Sequence, residues 1–457
     1  MFSAVFFFIA GCATYHPQPI SPEQTAAAFD ARSLTNENLR AFLESNQVTG
    51  EWPRRAWDLN ALTLVAFYYQ PSLAEARAQW ASARAAQITA GERPNPTVGF
   101  TPTYDTTTPP PWIYGVTWDI PIETAGKRVK RIAEAEHLSE AEHWNFISAA
   151  WQVRSRVRTA LLDLYAARET EALFARQASA QSNVVHLLEG QLAAGSVSDF
   201  EVTQARIALE TTQLALQDAV GQRRQARVEL ANALGLPLLA LNDIQFSFAG
   251  LNEFPRSLTR PEVRRQAILN RADVRGALAE YAASQSALQL EIAKQYPDLH
   301  LGPGYELDQT DNKWSLGVSV DLPVLNHNQG PVAEAKAKRA VAAAHFLTVQ
   351  TTAIAGIESA LAGYQAALQQ RATATALWND LQKRLDAIHA QAQAGEVDPL
   401  AVAGAEVEFN TGAQNRLGAL VKAQLALGQL EDAVQSPLTL PSSMLDAAQH
   451  PSSQTEK

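Results

Sequence analysis

GVTWDIPI, residues 115–122, and GVSVDLPV, residues 317–324, are two copies of one phrase, 202 residues apart. Working outward, RPNPTVGF from Arg93 matches KQYPDLHL from Lys294, with Pro96 and Pro297 201 residues apart. Further upstream, Pro71-Ser72-Leu73 matches Ala272-Asp273-Val274, and Trp80 stands against Tyr281. Downstream, LAAGSVSDF from Leu192 matches AQAGEVDPL from Ala392, with Gly195 and Gly395 200 residues apart. An offset that holds this steadily marks a duplicated unit. Each unit reads helix, two strands, two long helices.

The strand phrases alternate. Trp112, Tyr114, Val116, Trp118 and Ile120 face one way, and Ile113, Gly115, Thr117 and Asp119 the other. The partner strand puts Val98, Phe100, Pro102 and Tyr104 on one side. The second copy opposes Leu299, Leu301, Pro303, Tyr305 and Leu307 to Asp298, His300, Gly302, Gly304 and Glu306, and Trp314 to Leu322 repeat the pattern. Strands of about nine to eleven residues span a bilayer at a tilt. Apolar-out, polar-in alternation with aromatics near strand ends marks a transmembrane barrel. A soluble antiparallel sheet with one buried face gives the same pattern strand by strand. The helices tip the balance.

No proline interrupts Pro121 to Pro237 or Pro331 to Pro399, and both stretches are rich in good helix formers. Gly126 to Gly195 allows about 100 Å of helix at about 1.5 Å per residue. The chain turns back at residues 194–199 and again at 395–399, where Gly after one helix and Asp or Ser before the next is stop-and-start chemistry. The opening helix is expected from about Asn60 to Gly91, on a stripe of Leu73, Ala76, Trp80, Ala83 and Gln87.

The chain therefore divides into a signal segment (1–12), an extended lead (13–59) with a short helix near Asn36–Ser45, and a first repeat (60–235). The first repeat carries strands near 96–106 and 112–120. A proline-bearing linker (236–262) follows, then a second repeat (263–436) with strands near 297–307 and 313–322, and a flexible tail (437–457).

The net charge of −10 and pI near 5.5 argue against nucleic acid as a partner. No run is expected to reach the ~18 apolar residues of a transmembrane helix, so any membrane crossing falls to strands. Gly-x-Ser-x-Gly, His-Glu-x-x-His, phosphate-binding glycine loops and Cys/His metal spacings do not occur, so no enzyme and no catalytic residue is expected. His137 and His143 are six residues apart, about 240° around a helix, so they do not share a face as an i, i+4 metal pair does. Both read as solvated surface residues, and His327 as a polar turn residue.

The single cysteine, Cys12, follows Ile9-Ala10-Gly11 after an apolar run from Phe2. This resembles a bacterial lipobox, in which the cysteine is cut free and acylated. Ala13 in place of Asp resembles the outer-membrane sorting form. No Lys or Arg precedes the run, so the start of such a signal is expected upstream.

Four transmembrane strands cannot close a barrel, for which about eight is the minimum. An open sheet in lipid leaves unpaired backbone groups costing several kcal/mol each. Three chains would supply twelve strands. The fold class expected is mainly α with a small β part. The unit is a duplicated helix, β-hairpin and long-helix pair, and the trimer forms a twelve-stranded transmembrane β-barrel on a long α-helical barrel.

From about Asn60 to Gln435 the chain resembles the TolC-type outer-membrane efflux proteins. The duplicated order, the two tip turns and the strand-to-helix junctions IPIETAGKR (120–128) and LPVLNHNQG (322–330) carry the resemblance. The Gly-Lys-Arg and Asn-Gln-Gly junctions look most like the heavy-metal branch, CzcC- and CusC-like. The resemblance implies a homotrimer in the outer membrane, held also by a lipid on Cys12, with a long periplasmic extension. It implies a periplasmic adaptor (membrane fusion protein) and an inner-membrane resistance–nodulation–division transporter as partners. Passage through it would be passive, without cofactor or resident metal. The alternatives are a type I secretion duct and a non-channel periplasmic coiled-coil scaffold, although strict a/d heptads are not sustained over four heptads.

The resemblance also places a gated entrance at the tips farthest from the membrane. The acidic candidates there are Asp199, Glu396 and Asp398. In a trimer each becomes a ring of three carboxylates, which repel, raise one another's pKa and attract cations. Asp199 and Asp398 equally suit helix N-caps, Asp398 with Pro399 at the first helical position. Gly195, Ser196, Gly395 and Val397 form the turns expected to meet the adaptor.

Overall fold

The computed structural model describes residues 13–107, 109–255, 264–265 and 268–438. The lipid-anchor expectation at Cys12, the linker end and most of the tail lie outside the described residues.

The lead is more helical than its prolines suggest. Helix α1 (Pro22–Asp30) starts behind Ser21, whose side chain caps Gln24 N–H, with Pro22 at the first helical position where its missing N–H costs nothing. Helix α2 (Glu37–Ser45) starts behind Asn36. Instead of one opening helix there are two, α3 (Leu59–Tyr69) and α4 (Pro71–Gly91). Pro71 forces Gln70 into an extended conformation (ψ 119°) and breaks the helix.

Strand β1 (Ala56–Trp57) pairs in parallel with β4 (Gln245–Phe246) of the linker. Strands β2 (Thr97–Tyr104) and β3 (Trp112–Ile122) form the first hairpin, and β5 (Leu299–Asp308) and β6 (Asp311–Val320) the second. Together they make one antiparallel sheet in the order β2-β3-β5-β6, leaving β2 and β6 as edges. The register keeps Phe100, Val116, Tyr305 and Trp314 in one cross-strand row. The opposite face is small and polar, with Gly99, Thr117, Gly304 and Ser315 in one row. His300 bonds Asp119 at 3.0 Å on that face. Every residue of β2 and β6 is exposed, Trp314 at 79% and Phe100 at 64%. A soluble sheet would bury one face, and this chain covers neither.

The long helices are α5 (Lys127–Ala193, 67 residues), α6 (Asp199–Leu234), α8 (Gln329–Gln393, 65 residues) and α9 (Pro399–Val434), with α7 (Ala272–Ala293) opening the second repeat. Nearest the sheet, α4, α5, α7 and α8 lie side by side in that order. Farther away the order is α6, α5, α9, α8. The wall is one helix thick. At its edge, α8 holds an 18-residue stretch of mean hydropathy 1.4, apolar enough by length and composition to cross a membrane, against the sequence expectation. Only 11% of that stretch is buried within the chain. Its apolar character belongs to a helix edge that the chain leaves uncovered.

Two clamps join the repeats, and a third ties the lead and the start of α4 to the end of α6 within the first repeat. Where strands become helices, the buried Lys127 pairs with Asp298 at 2.8 Å, and Asp298 also accepts Thr124 N–H at 2.8 Å. At mid-height, Glu431, 1% exposed, accepts both Nη atoms of Arg154 at 3.2 Å and lies 3.5 Å from Arg158 Nε. Arg158 in turn donates to Gln424 O and Oε1 at 2.8 and 2.9 Å. Beside them, Asp432 accepts Trp151 Nε1 and Ser155 Oγ at 2.9 and 2.7 Å. Third, Gln70 Nε2 donates to the last carbonyls of α6, Asn232 and Ala233, while Arg32 bridges Tyr69 O and Gly235 O. Gly235 sits at φ +71°, and a Cβ there would lie 2.9 Å from Tyr69 O.

Candidate functional site at the helix tips

The two helix hairpins end in the same turn built with different chemistry. Helix α5 stops when Gly195 takes φ +75°, a left-handed conformation that glycine adopts without strain. Its N–H bonds Leu192 O at 2.9 Å, and Ser196 N–H reaches Gln191 O at 2.9 Å. This double closure satisfies the last carbonyls of the helix. In the second repeat Gly395 has φ +76°, its N–H bonds Ala392 O at 3.0 Å, and Glu396 N–H bonds Gln391 O at 2.9 Å. A Cβ at either glycine would meet nothing within 4 Å. Both are fixed by backbone sign, not by space.

The return helices differ. The N-cap of α6 is Ser198, not Asp199: Ser198 Oγ accepts Glu201 N–H at 3.4 Å while Glu201 Oε2 accepts Ser198 N–H at 2.8 Å. Asp199 is the first helical residue and its side chain is exposed. There it complements the positive end of the helix dipole. Asp398 is an N-cap, accepting Ala401 N–H at 2.9 Å, with Pro399 at the first helical position. Glu396 is exposed, and its side chain makes no bond among the described residues, which leaves its carboxylate facing outward. Each tip thus presents exposed acidity at a different point: Asp199 just inside the helix, Glu396 in the turn and Asp398 at the cap.

Val197 and Val397 are half-buried in the turns. Phe200 is 70% exposed beside Asp199, an aromatic at the tip that charge-based reading passes over. Its signal is its position: an aromatic two residues after a cap has no core to enter.

The histidines do not assemble. His137 lies 3.7 Å from Glu140. His143 is half-buried, not a freely solvated surface residue: its ring is 4.7 Å from Trp80 and 5.3 Å from Trp144, and its Nδ1 is buried without a partner among the described residues. Burial lowers its pKa, against a smaller upward pull from Glu140. His327 is exposed in its turn. Among the described residues no group of three or more His, Cys, Asp or Glu could hold a metal ion.

The model of the outer membrane efflux protein family matches residues 68–236 and 263–434. The chain is 27% identical over 214 residues to the cobalt-zinc-cadmium resistance protein CzcC of Cupriavidus metallidurans, covering 46% of this chain and 50% of that protein. It is 25% identical over 224 residues to the pyoverdine export outer membrane protein OpmQ of Pseudomonas aeruginosa, covering 47% of this chain and 46% of that one. The chain spans about half the length of these relatives. Among solved structures, it superposes on CusC with TM-score 0.66 and 18% identity, over 84% of this chain and 94% of that one. VceC of Vibrio cholerae gives 0.67 and 18%, over 82% and 95%.

Proposed function

The chain belongs to the outer membrane efflux protein family, and from that premise we propose that it is the outer-membrane exit duct of a tripartite efflux pump. One observation carries this reading: a four-stranded sheet with one continuous apolar face, a small-residue polar face, two unpaired edges, and neither face covered by its own chain. In lipid the apolar face is satisfied and the edges are not, so copies must close around a common axis. Three copies give twelve strands. Spaced about 4.8 Å apart and tilted about 40°, these make a ring about 24 Å across between backbones. The glycines, serines and threonines of the polar face would leave its interior open. Below, three single-layer walls continue the tube for about the 100 Å of α5.

The duct works passively. Acidic rings of Glu396, Asp398 and Asp199 at the tips attract cations and repel one another, so entry is cation-preferring and contact with a partner changes closure. A periplasmic adaptor meets the turns at Gly195, Ser196, Gly395 and Val397, and an inner-membrane transporter drives the substrate. An acyl chain on Cys12 adds a second hold on the outer membrane. The relatives' names divide between metal resistance and pyoverdine export, and heavy-metal cations are the cargo favoured by the acidic entrance.

The test is oligomer mass and planar-bilayer conductance on one detergent-extracted sample. A trimer with a cation-preferring conductance is expected. A monomer that extracts without detergent and conducts nothing would overturn the reading.

A further inference from the structure

We propose that the His300–Asp119 pair on the polar face of the sheet presents His300 Nε2 as a contact point for divalent transition-metal cations in passage, so that the barrel tells these apart from hard cations such as Mg²⁺. The inference rests on the duct reading above. It names a cargo class from the barrel's interior, independently of the acidic tips.

Within the strands, the charged and imidazole side chains of the polar face fall into two groups. At the turn joining β5 to β6, Lys313 lies 3.8 Å from Glu306 and also pairs with Asp308. At the opposite end stand Asp119 and His300. Between the groups the face carries glycine, serine and threonine, with Gly302 and Gly317 paired across β5 and β6. Lys313 is a protonated amine with no lone pair to give. Among the described residues of this face, His300 is therefore the one side chain with a nitrogen able to bind a metal ion.

The pair is built across the two repeats. The pairs Thr117↔Gly304 and Ile120↔Leu301 place Gly302 opposite Asp119, and Pro121 stands opposite His300, so Asp119 and His300 are diagonal neighbours. With no side chain opposite it, the Asp119 carboxylate leans along the strand to the imidazole. His300 Nδ1 lies 3.0 and 3.2 Å from its two oxygens. An ionised carboxylate only accepts, so Nδ1 carries the hydrogen and the neutral ring keeps its lone pair on Nε2. That nitrogen has no partner among the described residues, and the two side chains are 31% and 48% exposed. The nearest further charge on this end, Asp298, is engaged by Lys127. A carboxylate behind one ring nitrogen orients the other toward a metal ion and raises its basicity. In a ring about 24 Å across, the three imidazoles are too far apart to meet on one ion, whose bonds are about 2 Å. Each gives a single nitrogen, and water completes the shell. One imidazole favours Zn²⁺ or Ni²⁺ over Mg²⁺, which prefers oxygen. A single bond holds weakly, as conduction requires.

The experiment is the potassium chloride conductance of the full-length chain in planar bilayers, titrated with Zn²⁺ alone and separately with Mg²⁺ alone. In the wild type, Zn²⁺ should reduce the current at a lower concentration than Mg²⁺ does. His300→Gln should raise the half-blocking Zn²⁺ concentration by about 10-fold or more and leave that of Mg²⁺ unchanged. Asp119→Asn keeps an oxygen for Nδ1–H and removes the charge behind it. It should raise the Zn²⁺ value by about 10-fold, with a smaller shift for Mg²⁺, and it carries the test if His300→Gln fails to assemble. Wild-type block that is equal for the two ions, Zn²⁺ block unchanged in His300→Gln, or equal Zn²⁺ and Mg²⁺ shifts in either variant overturns the metal contact. The pair is then a strap between the repeats, and the duct reading stands. A wild type that forms no trimer or conducts nothing overturns the duct reading itself.

Discussion

Replacing Glu431 with Gln keeps its shape and removes the carboxylate that touches two buried guanidiniums. Arg154 is 1% exposed and Arg158 6%, so neither can turn to water. At 3.2 and 3.5 Å, each attraction is worth about 5 kcal/mol at an effective dielectric of about 20. Against that roughly 10 kcal/mol stands the relief of no longer burying a carboxylate, several kcal/mol. The expected net loss is therefore about 3–5 kcal/mol, the range for stripping one partner from a buried pair. Asp432→Asn, one residue along, should cost about 1–2 kcal/mol, because its partners are neutral: the amide oxygen can still accept from Trp151, and the amide NH2 can donate to the Ser155 hydroxyl. The assay is urea unfolding in detergent followed by helical circular dichroism, with the two variants side by side. Replacing all three charges, R154M with R158L and E431L, should recover most of the loss, since well-packed apolar residues replace buried ion clusters at little cost. If Glu431→Gln costs no more than Asp432→Asn, the cluster is hydrated and the burial argument fails.

Gly235→Ala and Gly195→Ala share the same backbone sign, a cost of about 1–2 kcal/mol. Only the first drives a Cβ onto the Tyr69 carbonyl, so it should lose about 1–3 kcal/mol more in the same assay; equal losses would remove the steric argument. Burial holds the His143 pKa below its ordinary value, so its contribution is intact above the unfolded value near 6.5 and declines as pH falls through that value toward its lower folded pKa. His143→Gln should flatten the difference in stability between pH 7 and pH 5, and an unchanged slope would mean the ring is solvated. Glu396→Ala with Asp398→Ala should reduce cation selectivity in bilayers, with Asp398→Ala also costing about 1 kcal/mol as a lost cap; unaltered conductance and selectivity would place the gate elsewhere. Cys12→Ala should leave an uncleaved precursor without radiolabelled fatty acid, and label incorporated as in the wild type would remove the lipid.

Much of this architecture is legible because it is periodic. The two-residue period of Trp112 to Ile120, the proline-free runs and the recurring Gly195 and Gly395 need no tertiary information. Local chemistry is legible too, though it can be misweighed. Ser198 and Glu201 have capping-box spacing, which outranks Asp199 as the start of α6. Ser21-Pro22 likewise opens a helix where a row of prolines suggests an extended lead. What stays hidden is pairing across distance. Glu431 lies 277 residues from Arg154, and nothing local distinguishes it from the solvated acids of a long helix. His143 likewise depends on Trp80, which reaches it only because α4 folds back along α5.

A wall one helix thick has two outsides and almost no inside. The single chain carries 27664 Å² of accessible surface, where a compact monomer of 49.6 kDa would carry about 17,000 Å². The surplus of about 11,000 Å² reflects a wall with water on both sides, and only the exposed strand edges and apolar helix edges within it call for lipid or further copies. In the proposed duct, folding and association are one reaction, and the stability of the product depends on protomer concentration and on the presence of a bilayer. A chain arrested before closure would display long apolar helix edges and two open strands together. Such a species is adhesive by construction, which makes the rate of ring closure, more than the stability of any one protomer, the quantity that decides how much duct a cell obtains.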